Sequence, residues 1–161
     1  MEAEQMRARA ASFGDVAGAY ADHRPGYPAE AVRWLVGISP GRVLELGAGT
    51  GKLTAEVAGL GHDVVALDHS AQMLSHLRHT PTVHAVVARA EQIPLATSSI
   101  DVVVAAQAFH WFDQERALPE IARVLRPGGV LSLVWNNGDL TVPWVKKVFA
   151  LMDLTAAEVG D

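Results

Sequence analysis

The chain has 161 residues, half of them hydrophobic, a formal net charge of −5 and no cysteine. That size suits a single domain with a substantial core, the mild acidity lacks the basic footprint of a nucleic-acid binder, and disulfides and thiolate metal sites are excluded. The opening MEAEQMRARAAS holds no apolar core of a secretory signal, and the longest apolar run, around VVVAAQAF, is far short of the roughly 18 residues of a membrane span, so a cytoplasmic protein engaging neither membrane nor nucleic acid is expected.

Taken in chain order, residues 13–22 and 28–37 read as helices separated by HRPGYP. RVLEL (42–46) is the first of five Val/Leu-rich runs, followed by DVVALD (63–68), TVHAVVA (82–88), IDVVVAA (100–106) and GVLSLVW (129–135). Near-continuous apolarity over such short runs suits strands buried on both faces of a parallel sheet. Helices are expected between them over 51–60, 70–79 and 114–125, the last stopped by RPGG ahead of the fifth strand. Strand–helix alternation at this spacing implies right-handed crossovers and an α/β, doubly wound, Rossmann-like parallel sheet. Beyond it, Val142, Val145, Phe149 and Met152 recur at helical spacing. The expected organisation is one domain over 1–161, with a helical cap (1–40), a core (41–137) and a C-terminal helix (138–161).

The chemistry centres on VLELGAGTGKLT, residues 43–54, where Gly47, Gly49 and Gly51 alternate between a strand and a helix. A helix N-terminus opened by glycines favours a polar or anionic ligand group. The dinucleotide fingerprint G-x-G-x-x-G fails because Lys52 stands at its third glycine. The phosphate loop G-x-x-x-x-G-K-[ST] fails at Leu46 and Leu53. What remains is E-x-G-x-G-x-G, which resembles motif I of the class I S-adenosylmethionine (SAM) dependent methyltransferases. Asp68 ends the second strand 21 residues after Gly47, where a carboxylate can accept both hydroxyls of a ribose. Its other reading is a cap on the next helix, a role Ser70 can take instead, and the ribose role is favoured.

Two further stretches carry the resemblance. ARAEQIPLATSSIDVVV (88–104) is similar to the segment that closes over adenine, with Ala90 and Glu91 matching and Arg89 standing where an acid is usual. AAQAFHWFD (105–113), together with Phe13, Tyr20, Arg24, Pro25, Tyr27 and Pro28, resembles the methyltransferase type 11 group, in its trans-aconitate methyltransferase-like branch. The resemblance implies SAM as cofactor, S-adenosylhomocysteine (SAH) as product, and a small-molecule acceptor such as a carboxylic acid.

For the cofactor it implies Tyr20, Arg24, Glu45, Gly47, Ala48, Gly49, Gly51, Asp68, His69, Ala90, Glu91 and Gln107. Glu45 would meet the ammonium directly or through water, and Arg24 would form a charge-assisted pair with the carboxylate or equally with an acidic acceptor. Tyr27, His110 and Trp111 would face the acceptor, and Tyr20 or Trp111 could offer the sulfonium a cation–π contact of about 1 kcal/mol. His110 is the candidate general base, though a histidine beside a tryptophan can equally be wall. No metal site is expected; His76, His79 and His84 read as a solvated face.

The family fold carries seven strands, and only five are legible. The fifth would then be an exposed apolar edge, an association hazard. The expectation is a fragment, a truncated form, or a protomer that pairs with a second copy through that edge. The rival to an enzyme is a non-catalytic SAM-binding module associating the same way.

Overall fold

The computed structural model describes residues 26–77 and 80–151. The helix expected over 13–22, with Phe13, Tyr20, Arg24 and Pro25, lies outside the described residues, as do His79 and Met152. The elements are α1 (Ala29–Val36), β1 (Arg42–Leu46), α2 (Lys52–Gly59), β2 (Asp63–Asp68), α3 (Ala71–Leu74), β3 (Val83–Val87), β4 (Ile100–Ala106), a 3₁₀ turn (Phe109–Trp111), α4 (Gln114–Val124), β5 (Leu125–Val134) and α5 (Pro143–Leu151). The strands form one sheet in the order β3-β2-β1-β4-β5, every pairing parallel. This is the expected doubly wound sheet, and its strand order reverses between β1 and β4.

Strand alternation divides the core between two faces. Val43, Val64 and Val104 face α1 and α2, packing on Val32, Leu35, Leu53 and Val57. Leu44, Leu46, Val65, Leu67 and Val103 face the other way, onto Ala117, Ile121 and Val124 of α4. The Ser132 hydroxyl donates to the Leu35 carbonyl at 2.7 Å and ties α1 to β5. Beneath the sheet, Gly41 N–H donates to His62 Nδ1 at 3.1 Å, while Nε2 lies 3.3 Å from the Gly37 carbonyl. The fully buried His62 thereby closes the α1–β1 turn.

Two elements differ from the sequence expectation. The helix expected over 70–79 keeps α-helical geometry only through Leu74, because His76 and Leu77 donate to carbonyls three residues back and tighten the chain into 3₁₀-type turns. The fifth strand starts at Leu125, four residues before the expected position, since Leu125 already pairs with Ile100. Pairing then resumes at Val102 with Val130, so the RPGG segment bulges out of register.

A row of side chains crosses the amino-terminal ends of all five strands. His84 of β3 contacts Asp63 of β2 at 3.0 Å, and Asp63 reaches Arg42 of β1 at 3.4 Å. The Arg42 backbone N–H donates to Asp101 of β4 at 2.8 Å, and Asp101 pairs with Arg126 of β5 at 2.6 Å. Among the described residues no helix is long and apolar enough to cross a membrane.

Candidate functional site

The opposite, carboxyl-terminal end of the sheet opens into a cleft of about 230 Å³. The loop after β1 forms its floor. Gly47 and Ala48 N–H both donate to the Leu67 carbonyl, at 2.8 and 3.0 Å, so the loop is bound directly to the end of β2. Gly47, Gly49 and Gly51 all have left-handed φ. At Gly47 an added Cβ would stand 2.4 Å from Ala108 Cβ, and at Gly51 it would stand 2.1 Å from Leu77 Cδ2. Two of the glycines therefore answer to the approach of neighbouring protein segments. Gly51 lines neither this cleft nor the cavity beside it.

Asp68 closes the loop from the other side. Its Oδ2 accepts from Gly49 N–H at 2.9 Å and its Oδ1 from Ser70 N–H at 2.8 Å. Capping of α3 falls to Ser70, whose hydroxyl accepts from Met73 N–H at 3.2 Å. Asp68 thus faces the cleft, as expected if Ser70 takes the capping role. His69 Nδ1 sits 3.3 Å from Asp68 Oδ1.

Glu45 is only 2 % exposed and accepts from the Thr54 hydroxyl at 2.5 Å. Burial pushes its carboxyl up from 4.5 to about 8, against the lowering effect of Thr54 and with a further upward contribution from Asp68. Such an acid is mostly neutral in the free chain at pH 7 and would become a carboxylate once a cation arrives.

The far wall follows β4. Gln107 has φ of 57°, its N–H donates to the Val134 carbonyl at 2.9 Å, and its amide reaches the Asn136 carbonyl at 3.3 Å. The 3₁₀ turn then sets His110 and Trp111 side by side, ring centroids 4.7 Å apart at 46°. Trp135 Nε1–H donates to His110 Nδ1 at 3.3 Å. Tyr27, Lys52, Met73 and Phe112 also line the cleft. A second cavity of about 110 Å³ shares Gly47, Asp68, His69, Trp111 and Phe112 with it and adds Ala88, Arg89, Ala90 and Glu91.

Every described residue of the expected site except Gly51 thus lines one of two adjoining cavities. Glu91 has a structural task as well, because its Oε1 accepts from Asp113 N–H at 2.8 Å at the start of α4. Thr54, Lys52, Met73, Phe112 and Trp135 were not picked out by the sequence pattern. Thr54, Lys52 and Phe112 lie inside the stretches 43–54 and 105–113, which is the signal the sequence offered for them.

Paired carboxylates at the ends of β1 and β2, a glycine floor and an apolar wall suit a ligand with hydroxyls, a cation and a flat ring. Residues 44–133 match the family described as Methyltransferase domain, more than half of the chain. The chain belongs to this family of class I SAM-dependent methyltransferases. An uncharacterized methyltransferase of Mycobacterium tuberculosis H37Rv is 51 % identical over 93 % of this chain and 62 % of its own length. A malonyl-[acyl-carrier protein] O-methyltransferase of Enterobacter lignolyticus is 34 % identical over 91 % of this chain and 60 % of its own. Among solved structures, a type II methyltransferase assignment from Anaeromyxobacter dehalogenans superposes with a TM-score of 0.69 at 33 % identity, over 81 % of this chain and 58 % of that one. The chain spans about three fifths of the length of these relatives.

Proposed function

We propose that this chain binds SAM across the two cavities and transfers its methyl group to a small-molecule acceptor, with carboxylic acids as the favoured class. The observation that carries the reading is the pair of inward carboxylates, Glu45 and Asp68, on either side of the glycine loop. When bound, the cofactor supplies an electrophilic methyl on a sulfonium; the protein's part is position and electrostatics.

In this reading Glu45 takes the ammonium, and its ionisation is the cleft's response to that charge. Asp68, held by two backbone N–H groups, keeps lone pairs for the ribose hydroxyls. Ala90 and Glu91 border the purine, with Glu91 braced on Asp113. His69 and Gln107 border the cofactor, and Tyr27, His110 and Trp111 border the acceptor. Tyr20 and Arg24, outside the described residues, keep the roles the family resemblance implies. The malonyl O-methyltransferase relative supports an oxygen of a carboxyl as the acceptor atom.

Calorimetric titration with SAM and SAH, beside Asp68→Ala, tests this. Saturable binding that weakens at least tenfold in Asp68→Ala is expected, since two hydroxyl bonds to a charged group are lost. A folded wild type that binds neither ligand refutes it. A second reading, a non-catalytic module that pairs through β5, draws on the half-exposed Val130 at that edge. Incubation with SAM and a panel of carboxylic acids separates the two, because that module binds SAM without releasing SAH.

A further inference from the structure

Resting on the methyltransferase reading, we infer that Arg123 and Glu120 of α4, which line neither cavity, set the position of the wall against which the cofactor's base packs. The backbone of residues 88–95 forms that wall. It leaves β3 after Val87 and supplies Ala88, Arg89, Ala90 and Glu91 to the second cavity. Its first residue is still tied to the sheet, Ala88 N–H donating to the Asp68 carbonyl at 3.0 Å. After that the segment turns back on itself, in an isolated bridge between Arg89 and Gln92.

Buried backbone groups need partners, and Ile93 is buried. Both of its backbone groups find theirs on side chains of α4. Its N–H donates to Glu120 Oε2 at 2.8 Å, and its carbonyl accepts from Arg123 Nη2 at 2.8 Å. Arg123 Nη1 donates to the Leu95 carbonyl, also at 2.8 Å. The two side chains are locked to each other, Arg123 Nε on Glu120 Oε1 at 2.7 Å and Nη2 on Oε2 at 2.8 Å. A guanidinium is a rigid fork, so the edge that grips the carboxylate fixes where the remaining N–H groups point. A lysine would keep the charge, but its single nitrogen could not span a carboxylate and two carbonyls.

The pair thus does for this segment what a neighbouring strand does for a strand. A second tie lies nearer the cavity, at Glu91 and the Asp113 N–H that opens the same helix. Between the ties, Ala90 and Ile93 pack in one core cluster with Ile121 of α4. The seat of α4 on the sheet therefore dictates where the cavity wall stands. A wall fixed before the ligand arrives saves the cost of ordering it on binding. Releasing it should cost contacts to the base and spare the ribose and amino-acid ends, because Asp68, Glu45 and the glycine loop are held by other bonds.

Arg123→Lys and Glu120→Ala test this positioning role, at a temperature where thermal melts show each variant fully folded. In ligand-free protein, deuterium exchange of Ile93 N–H should quicken at least tenfold in both variants, while Gly49 N–H, held by Asp68, keeps its rate. Calorimetric affinity for SAH should fall about fivefold or more, the worth of one hydrogen bond to the base. S-ribosylhomocysteine, which is SAH without its base, should bind wild type and variants alike in ligand-observed NMR at millimolar concentration. Weakening of both ligands by one factor would mark a general loosening and overturn the inference. So would an SAH affinity or an Ile93 exchange rate that neither substitution moves. A wild type that binds no SAH refutes the cofactor reading by itself, and the exchange rates then decide whether the pair holds the wall.

Discussion

Cofactor binding should release a proton from Glu45, and the release can be counted. With its carboxyl at about 8, roughly nine in ten molecules hold Glu45 neutral at pH 7. Docking an ammonium beside it requires the carboxylate, and ionising it one unit below its pKa costs about 1.4 kcal/mol. The chain should therefore bind SAH about tenfold more tightly at pH 9 than at pH 7, and release close to one proton at pH 7. Titration in phosphate and in Tris, whose ionisation enthalpies differ, reads that number. The ligand's own amine also titrates in this range, and Glu45→Gln supplies that baseline, showing only the amine's pH dependence and no extra release. A wild type releasing no more protons than Glu45→Gln would refute the placement of the ammonium. The folded chain without ligand gives a second check. A raised carboxyl pKa stabilises the fold fully below 4.5 and loses that contribution as pH rises through about 8. Glu45→Gln should accordingly melt higher than wild type at pH 9.

Gly51→Ala forces a Cβ to within 2.1 Å of Leu77 at a φ of +82°, and should lower stability by about 1–3 kcal/mol in denaturant melts. Gly59→Ala, at the last residue of α2 with open space around it, should raise stability by about 0.4–1 kcal/mol. Arg123 and the Ile93 N–H hold the Glu120 carboxyl down at about 2. Stability from Glu120 is present above 4.5 and lost as pH falls toward 2, so Glu120→Gln should flatten the acid limb of a pH-resolved melt. An unchanged acid limb would show that this cluster is not coupled to folding.

The parallel sheet was legible because its strands are short apolar runs buried on both faces, and such runs leave a local signature. The glycine loop was legible for the same reason, its spacing being local. Ser70 takes the cap of α3 and leaves Asp68 facing the cleft, a division the order D-H-S already offered. What escaped was non-local. Trp135 meets His110 only because β4 and β5 end side by side. That Glu91 also accepts from Asp113 N–H at the start of α4 is a contact between residues 22 positions apart. The early start of β5 escaped because RPGG announces a stop, whereas Leu125 pairs ahead of it and the bulge absorbs the excess residues.

The row from His84 through Asp63, Arg42 and Asp101 to Arg126 also works as an address label for the strands. Read in spatial order, Asp63, Arg42, Asp101 and Arg126 alternate in sign, with His84 at the end of the row. Exchange β1 with β2, and Arg42 stands beside His84 while Asp63 stands beside Asp101. Exchange β1 with β4, and the two acids meet while the two arginines meet. The ion pairs in the row are exposed and worth about 1 kcal/mol or less each. A misordered sheet would forfeit several at once and gain repulsions in their place, as specificity by exclusion requires. The label sits at the end of the sheet away from the cleft, so strand order is checked without spending any residue that faces the ligand.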